Sequence, residues 1–105
     1  MSDSRQGETR PKFSLGRVLA TQGAVGLLQR SNVDIPALIS RHVHGDWGLV
    51  HPDDIETNER AVREGHCIMS IYALAIAGSD SKTEALWLIT EADRTSTTFL
   101  LPGEY

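Results

Sequence analysis

Apolar residues recur along this chain with two different periods, and the change falls at Gly65. Before it the spacing is that of helices; after it the pattern is that of strands. Ile35, Leu38, Ile39 and His42 share one helical face at i, i+3, i+4 and i+7. Asp34 stands ahead of them as an N-cap, and Pro36 falls in the first turn, where its missing N–H does no harm. Gly45 is the stop, and Gly45–His51 reads as a loop. Pro52 opens a further helix, with Asp53 and Asp54 placed to suit the positive end of its dipole and Gly65 ending it. Its inward face is expected to be Ile55, Asn58, Glu59 and Val62, and Glu59 with Arg63 forms an exposed i,i+4 pair. An earlier helix, Gln22–Arg30, is capped by Thr21. There Val25, Leu27 and Leu28 fit a one-sided stripe poorly. Gly23 and Gly26 each weaken that helix by up to about 1 kcal/mol against alanine, but permit close approach of another element.

After Gly65 three strand patterns follow, HCIMSIYALAI (66–76), TEALWLITE (83–91) and TSTTFLLP (95–102). Short connections predict an antiparallel meander. HCIMSIYALAI is long and apolar enough to be central, or else covered at a dimer interface, because such a strand at an open edge invites association. By alternation Trp87, Ile89 and Glu91 share one sheet face, and Leu86, Leu88 and Thr90 the other. FSLGRVLAT (13–21) reads as a short strand or an extended lead-in. The predicted fold is α+β: two or three N-terminal helices packed on a C-terminal antiparallel sheet of three to four strands. Residues 1–12 are polar and read as a disordered tail; 13–105 form one domain.

Composition narrows the picture. A chain of 105 residues with 40% hydrophobic content supports one modest core. With two each of Trp, Tyr and Phe, that core rests on Leu, Ile, Val and Ala. A formal charge of −4 argues against a generally basic nucleic-acid-binding surface. The single cysteine, Cys67, excludes an intramolecular disulfide and suits a reducing compartment. With neither an apolar signal region nor a membrane-length apolar run, the chain is expected to be soluble and cytoplasmic, without a membrane partner.

The chemistry concentrates in RHVHGDWG (41–48) and ITEADRTSTTFLLPGEY (89–105). HVHGD echoes the HxHxD motif of metallo-hydrolases, but on a helix His42 and His44 point about 200° apart. No metal and no cofactor is expected. His42 ends an apolar stripe, so it faces the sheet beside Asp46 and Trp47. It is either a helix-terminal histidine bonded to carbonyls or a general acid–base group tuned by a nearby carboxylate. Trp47 reads as a packing lid. Asn58, on an inward face, holds the Gly45–His51 loop or positions a ligand. Arg94 clamps a phosphate or carboxylate, or pairs with Glu91 or Asp93 across its own turn. Thr98 and Tyr105 complete the set, Tyr105 folding back on the sheet or supplying a phenol to a site.

At RHVHGDWG, Asn58, ITEADR and TTFLLPGEY the chain resembles a small family of proteins carried on bacterial plasmids and integrative elements. The likeness covers residues 13 to 105, and the ITEADR plus TTFLLPGEY combination is its most specific part. The SDSKTEA loop is longer than is usual for that family. The resemblance implies an accessory role on a mobile element and no particular mechanism. A weaker resemblance, carried by His42, Arg94, Thr97 or Thr98 and Tyr105, is to the barnase–EndoU–colicin–RelE class of nuclease-like folds.

Two functions follow as expectations. One is a non-catalytic binding protein that recognises a host or element-encoded protein, with Asp46, Trp47, Asn58, Glu91 and Asp93 as contact residues. A homodimer is compatible with it. The other is a metal-independent ribonuclease-like domain. There His42 is the acid or base, Arg94 stabilises the phosphorane, Thr98 and Tyr105 hold phosphate, and RNA is the substrate.

Overall fold

The computed structural model describes residues 10–79 and 82–105. Its elements are β1 (Arg17–Ala20), α1 (Gln22–Ser31), α2 (Ile35–Val43), α3 (Pro52–Glu64), β2 (Ile68–Ala75), β3 (Thr83–Thr90) and β4 (Ser96–Leu100), with a 3-10 turn at Pro102–Glu104. The fold is α+β, with the helices N-terminal and the sheet mostly C-terminal. Most of the tail expected over 1–12 lies outside the described residues. Lys12 is already tied down, its N–H donating to the Val43 carbonyl at 2.8 Å.

The helix limits follow from local chemistry. The Thr21 hydroxyl accepts the Ala24 N–H at 3.1 Å, as an N-cap should. At α3 the capping residue is His51, whose ring Nδ1 accepts the Asp53 N–H at 3.1 Å. Gly65 ends α3 at φ 75°, in the left-handed region that favours glycine.

The sheet runs β1-β4-β3-β2. β2, β3 and β4 form the expected antiparallel meander, and β1 adds to β4 in parallel, Arg17 beside Ser96 and Ala20 beside Phe99. The sheet is therefore mixed, and the FSLGRVLAT segment supplies a true strand. On one face Tyr72, Leu74, Leu86, Leu88 and Phe99 pack against Ala24, Leu27, Leu28 and Leu38 of α1 and α2. A second cluster, Trp47, Val50, Ala61 and Ile68, joins α3 and the preceding loop to the start of β2.

Three expectations are corrected. β2 is an edge strand, not a central one. α3 turns Asn58 and Ala61 inward and leaves Ile55 43% exposed; the helix lies beside the β2 edge, so only a narrow stripe is covered. Glu59 bonds Trp47 through its carboxylate, while Arg63 reaches only the Glu59 carbonyl.

The first half of the β2 edge is capped. The Ile71 N–H donates to the Trp47 carbonyl at 3.0 Å, and the Ile71 carbonyl accepts the Leu49 N–H at 2.7 Å. At the next outward residue, Asn58 Nδ2 donates to the Met69 carbonyl at 2.7 Å and its Oδ1 accepts the Met69 N–H at 3.2 Å. One side-chain amide thus takes the place of a strand residue. Together these contacts satisfy the outward backbone of Met69 and Ile71; the outward groups of Ala73 and Ala75 have no hydrogen-bond partner among the described residues.

Candidate functional site: a buried histidine relay and an open strand edge

His42 has no solvent exposure. Its Nδ1 lies 2.6 Å from Ser70 Oγ and its Nε2 lies 2.9 Å from Thr90 Oγ1. Thr90 Oγ1 is 2.7 Å from Thr97 Oγ1, and the Thr97 hydroxyl donates to the Leu15 carbonyl at 2.8 Å. These contacts fix the proton positions. Thr97 has one hydroxyl hydrogen and gives it to a carbonyl, which can only accept. Thr90 must then donate to Thr97, and His42 Nε2–H to Thr90. That leaves Nδ1 as the acceptor for the Ser70 hydroxyl. The ring is the neutral Nε2–H tautomer, enclosed edge-to-face by Phe13 at 5.2 Å and Trp47 at 6.0 Å between centroids. Burial lowers its pKa from 6.5 to about 4, because the charged form would lose its hydration.

Arg94 also packs on Phe13, its guanidinium carbon 5.7 Å from that ring's centroid. Its Nη1 donates to the carbonyls of His66 (2.7 Å), Glu91 and Ala92 (both 3.1 Å), and its Nη2 to that of Ala61 (3.0 Å). The side chain joins the C-terminal end of α3 to the β3–β4 turn, where a cation also suits the helix dipole. Its partners there are backbone carbonyls, including that of Glu91. Asp93 Oδ1 instead accepts from the N–H and hydroxyl of Thr95, which holds its carboxyl below the usual range.

The four residues of the phosphate-cleavage reading do not line one open cleft. His42 is enclosed, Arg94 is committed to carbonyls, and Phe13 packs against both. Thr98 is on the opposite sheet face from Thr97, and Tyr105 rests its ring on Trp87 at 5.7 Å while remaining 81% exposed. Nor does Asn58 hold the Gly45–His51 loop: it caps β2. Trp47 is the lid expected of it, 4% exposed, with its Nε1–H donating to Glu59 Oε2 at 3.1 Å. Asp46 accepts a fork of bonds from Arg41 at 2.7 and 3.3 Å, which lowers its pKa. Arg41 also sits 4.4 Å over the Tyr72 ring. The backbone carbonyl of Asp46 accepts the Tyr72 hydroxyl at 2.7 Å. This cluster pins the RHVHGDWG loop to the sheet.

The opposite end of the sheet is built differently. In a parallel pair every second residue of a strand bonds to its neighbour. Arg17 donates to Thr95 and Thr21 to Phe99, so the backbone groups of Val18 and Ala20 point away from β4. Beside this edge lies an open groove of about 380 Å³, lined by β1, by Val25, Leu28 and Gln29 of α1, by Ile35 of α2 and by Phe99. Val18, Leu19, Val25 and Ile35 are 38–44% exposed. Gln29 is the one polar side chain among the lining residues. Sequence reasoning did not select this edge. A trace of it was present in the poor fit of Val25 to its helix, since Val25 lies off the buried side of α1. No protein family, no curated protein and no solved structure matches this chain.

Proposed function

We propose that this chain is a non-catalytic binding module that recognises another protein by strand addition along the β1 edge. The observation that carries the reading is the contrast between the two sheet edges. The first half of the β2 edge is capped by a loop and by Asn58, and its open half carries only Ala73 and Ala75, whereas β1 presents outward backbone groups with no partner among the described residues, beside a groove with exposed Val18, Leu19, Val25 and Ile35. A strand added there gains main-chain hydrogen bonds, and its alternate side chains reach the groove. A small-molecule pocket would need several convergent polar groups, and this lining offers Gln29 alone. The partner proposed is a host or element-encoded protein.

A photo-crosslinking residue at Val25, with a control at exposed Glu56 on α3, tests the reading in cells that produce the protein. Discrete protein adducts from position 25 and none from position 56 are expected. Adducts at neither position, or equal adducts at both, would refute it.

A further inference from the structure

We infer that, while no other partner is bound, the β1 edge is occupied by a second copy of this chain, paired antiparallel about a two-fold axis at Leu19, which an incoming partner strand displaces; the inference rests on the edge being the contact surface. The geometry limits the register. Outward backbone groups belong to Val18 and Ala20, and antiparallel hydrogen-bonded pairs need outward residues opposite each other. Placing Val18 against Ala20 of the other copy satisfies both residues in both copies and puts Leu19 against its own symmetry mate. The interface is then self-complementary, as a two-fold contact must be.

Charge selects the same register. Arg17 comes to lie opposite Thr21 of the other copy. In this chain the Thr21 hydroxyl donates to Glu104, whose carboxylate also accepts the N–H groups of Gly23 at 3.1 Å and Leu101 at 2.9 Å. Glu104 is exposed, and its pKa is lowered chiefly by the Thr21 bond, so it is anionic at neutral pH. The Arg17 guanidinium has no hydrogen bond or ion pair among the described residues. The two-fold therefore brings an unpartnered cation to an anion at each end of the strand pair, an arrangement that fixes register. Shifting the pair by two residues loses this match. The groove agrees: Val18 and Ala20 line it, so Val25 and Ile35 flank the axis and would be covered by their counterparts. Gly26, where an added Cβ would meet nothing within 4 Å, leaves room for a neighbouring helix. The product is one continuous eight-stranded sheet whose outer edges are the β2 strands, each capped at Met69 and Ile71.

The test is a register-specific disulfide in a Cys67→Ser background. Directly opposed, non-hydrogen-bonded residues have Cα atoms about 4.5 Å apart, within the disulfide range of about 4.4–6.8 Å. Leu19→Cys is therefore expected to link into a covalent dimer under mild oxidation. Arg17→Cys, whose opposite is Thr21, stays unlinked. Light scattering on the wild-type chain is expected to give twice the monomer mass, with Arg17→Glu weakening the dimer at least about tenfold by setting like charges together. Equal linking of the two cysteine variants, or a wild-type monomer even at about 1 mM, the weak end of the affinity scale, overturns the pairing. If the monomer still gives adducts with a different protein from position 25, the binding reading stands and only self-pairing falls. If it gives none, both fall.

Discussion

Between pH 6.5 and 4, acid should destabilise this protein chiefly through one residue. In the folded state His42 is neutral, bonded at both ring nitrogens, and its pKa is about 4 against an ordinary 6.5. Above pH 6.5 the folded and unfolded chains both hold a neutral ring, and stability does not depend on it. Between 6.5 and 4 the unfolded chain takes up a proton that the folded chain refuses, so unfolding free energy falls as pH falls. At about 1.4 kcal/mol for each pH unit, the loss across that interval is roughly 3 kcal/mol. For a domain of this size that is a drop in Tm on the order of 15 °C. The assay is urea unfolding followed by tryptophan fluorescence, at intervals from pH 7.5 to 4.5, on the wild-type chain and on His42→Gln. Glutamine retains a donor and an acceptor but cannot titrate. Asp46, Asp93 and Glu104, with lowered pKa values, are common to both proteins. The difference between the two curves therefore isolates the ring. A wild-type curve that is flat over this interval, or parallel to that of His42→Gln, would refute the reasoning.

Three further substitutions probe the supports around that histidine. Asn58→Ala strips the partners from both Met69 backbone groups; a loss of about 2–3 kcal/mol in chemical denaturation is expected, with concentration-dependent aggregation from the reopened β2 edge. Gly48→Ala should unfold the chain or lower its stability by more than about 2 kcal/mol. Gly48 has φ 73°, and an added Cβ would fall inside the contact radius of the Ile71 carbonyl oxygen; a variant within 0.5 kcal/mol of wild type, to order of magnitude, would contradict that. Arg94→Ala removes the bonds to four carbonyls and leaves a non-glycine residue at φ 61°. The expected cost is about 2–3 kcal/mol, with faster amide exchange at Gly65 and His66; unchanged exchange there would show that Arg94 does not hold the α3 terminus.

The helices and the meander were legible because their signals are local. Thr21, Pro36, Pro52 and Gly65 mark ends by chemistry that acts within a turn, although the Asp34 side chain makes no capping bond. What could not be read was where separate elements meet. β2 looks central because apolar content reports burial, and burial can come from a loop and an amide as readily as from a strand. The relay shows the same limit: Ser70, Thr90 and Thr97 are ordinary strand residues in the sequence, and only the β2-β3-β4 register brings the first two onto His42 and the third onto Thr90. His42 was singled out correctly as facing the sheet, but its exposure and partners depend on three strands that lie far along the chain.

The parallel pairing of β1 with β4 has a consequence for how the chain folds. The contacts that seat β1 join residues about as distant as this sequence allows: Thr97 to Leu15 across 82 positions and Thr21 to Glu104 across 83. The meander and the helices can form from contacts between near neighbours, whereas β1 must wait until both ends of the described chain are brought together. Closing so long a loop costs more entropy than closing any hairpin here, so the expected order has β1 docking late, after the rate-limiting barrier. Substitutions in Val18 or Leu19 should then quicken unfolding and leave the folding rate nearly untouched. The strand that docks last is also the first to detach, which makes the β1 edge the part of the sheet most readily remodelled without disturbing the core.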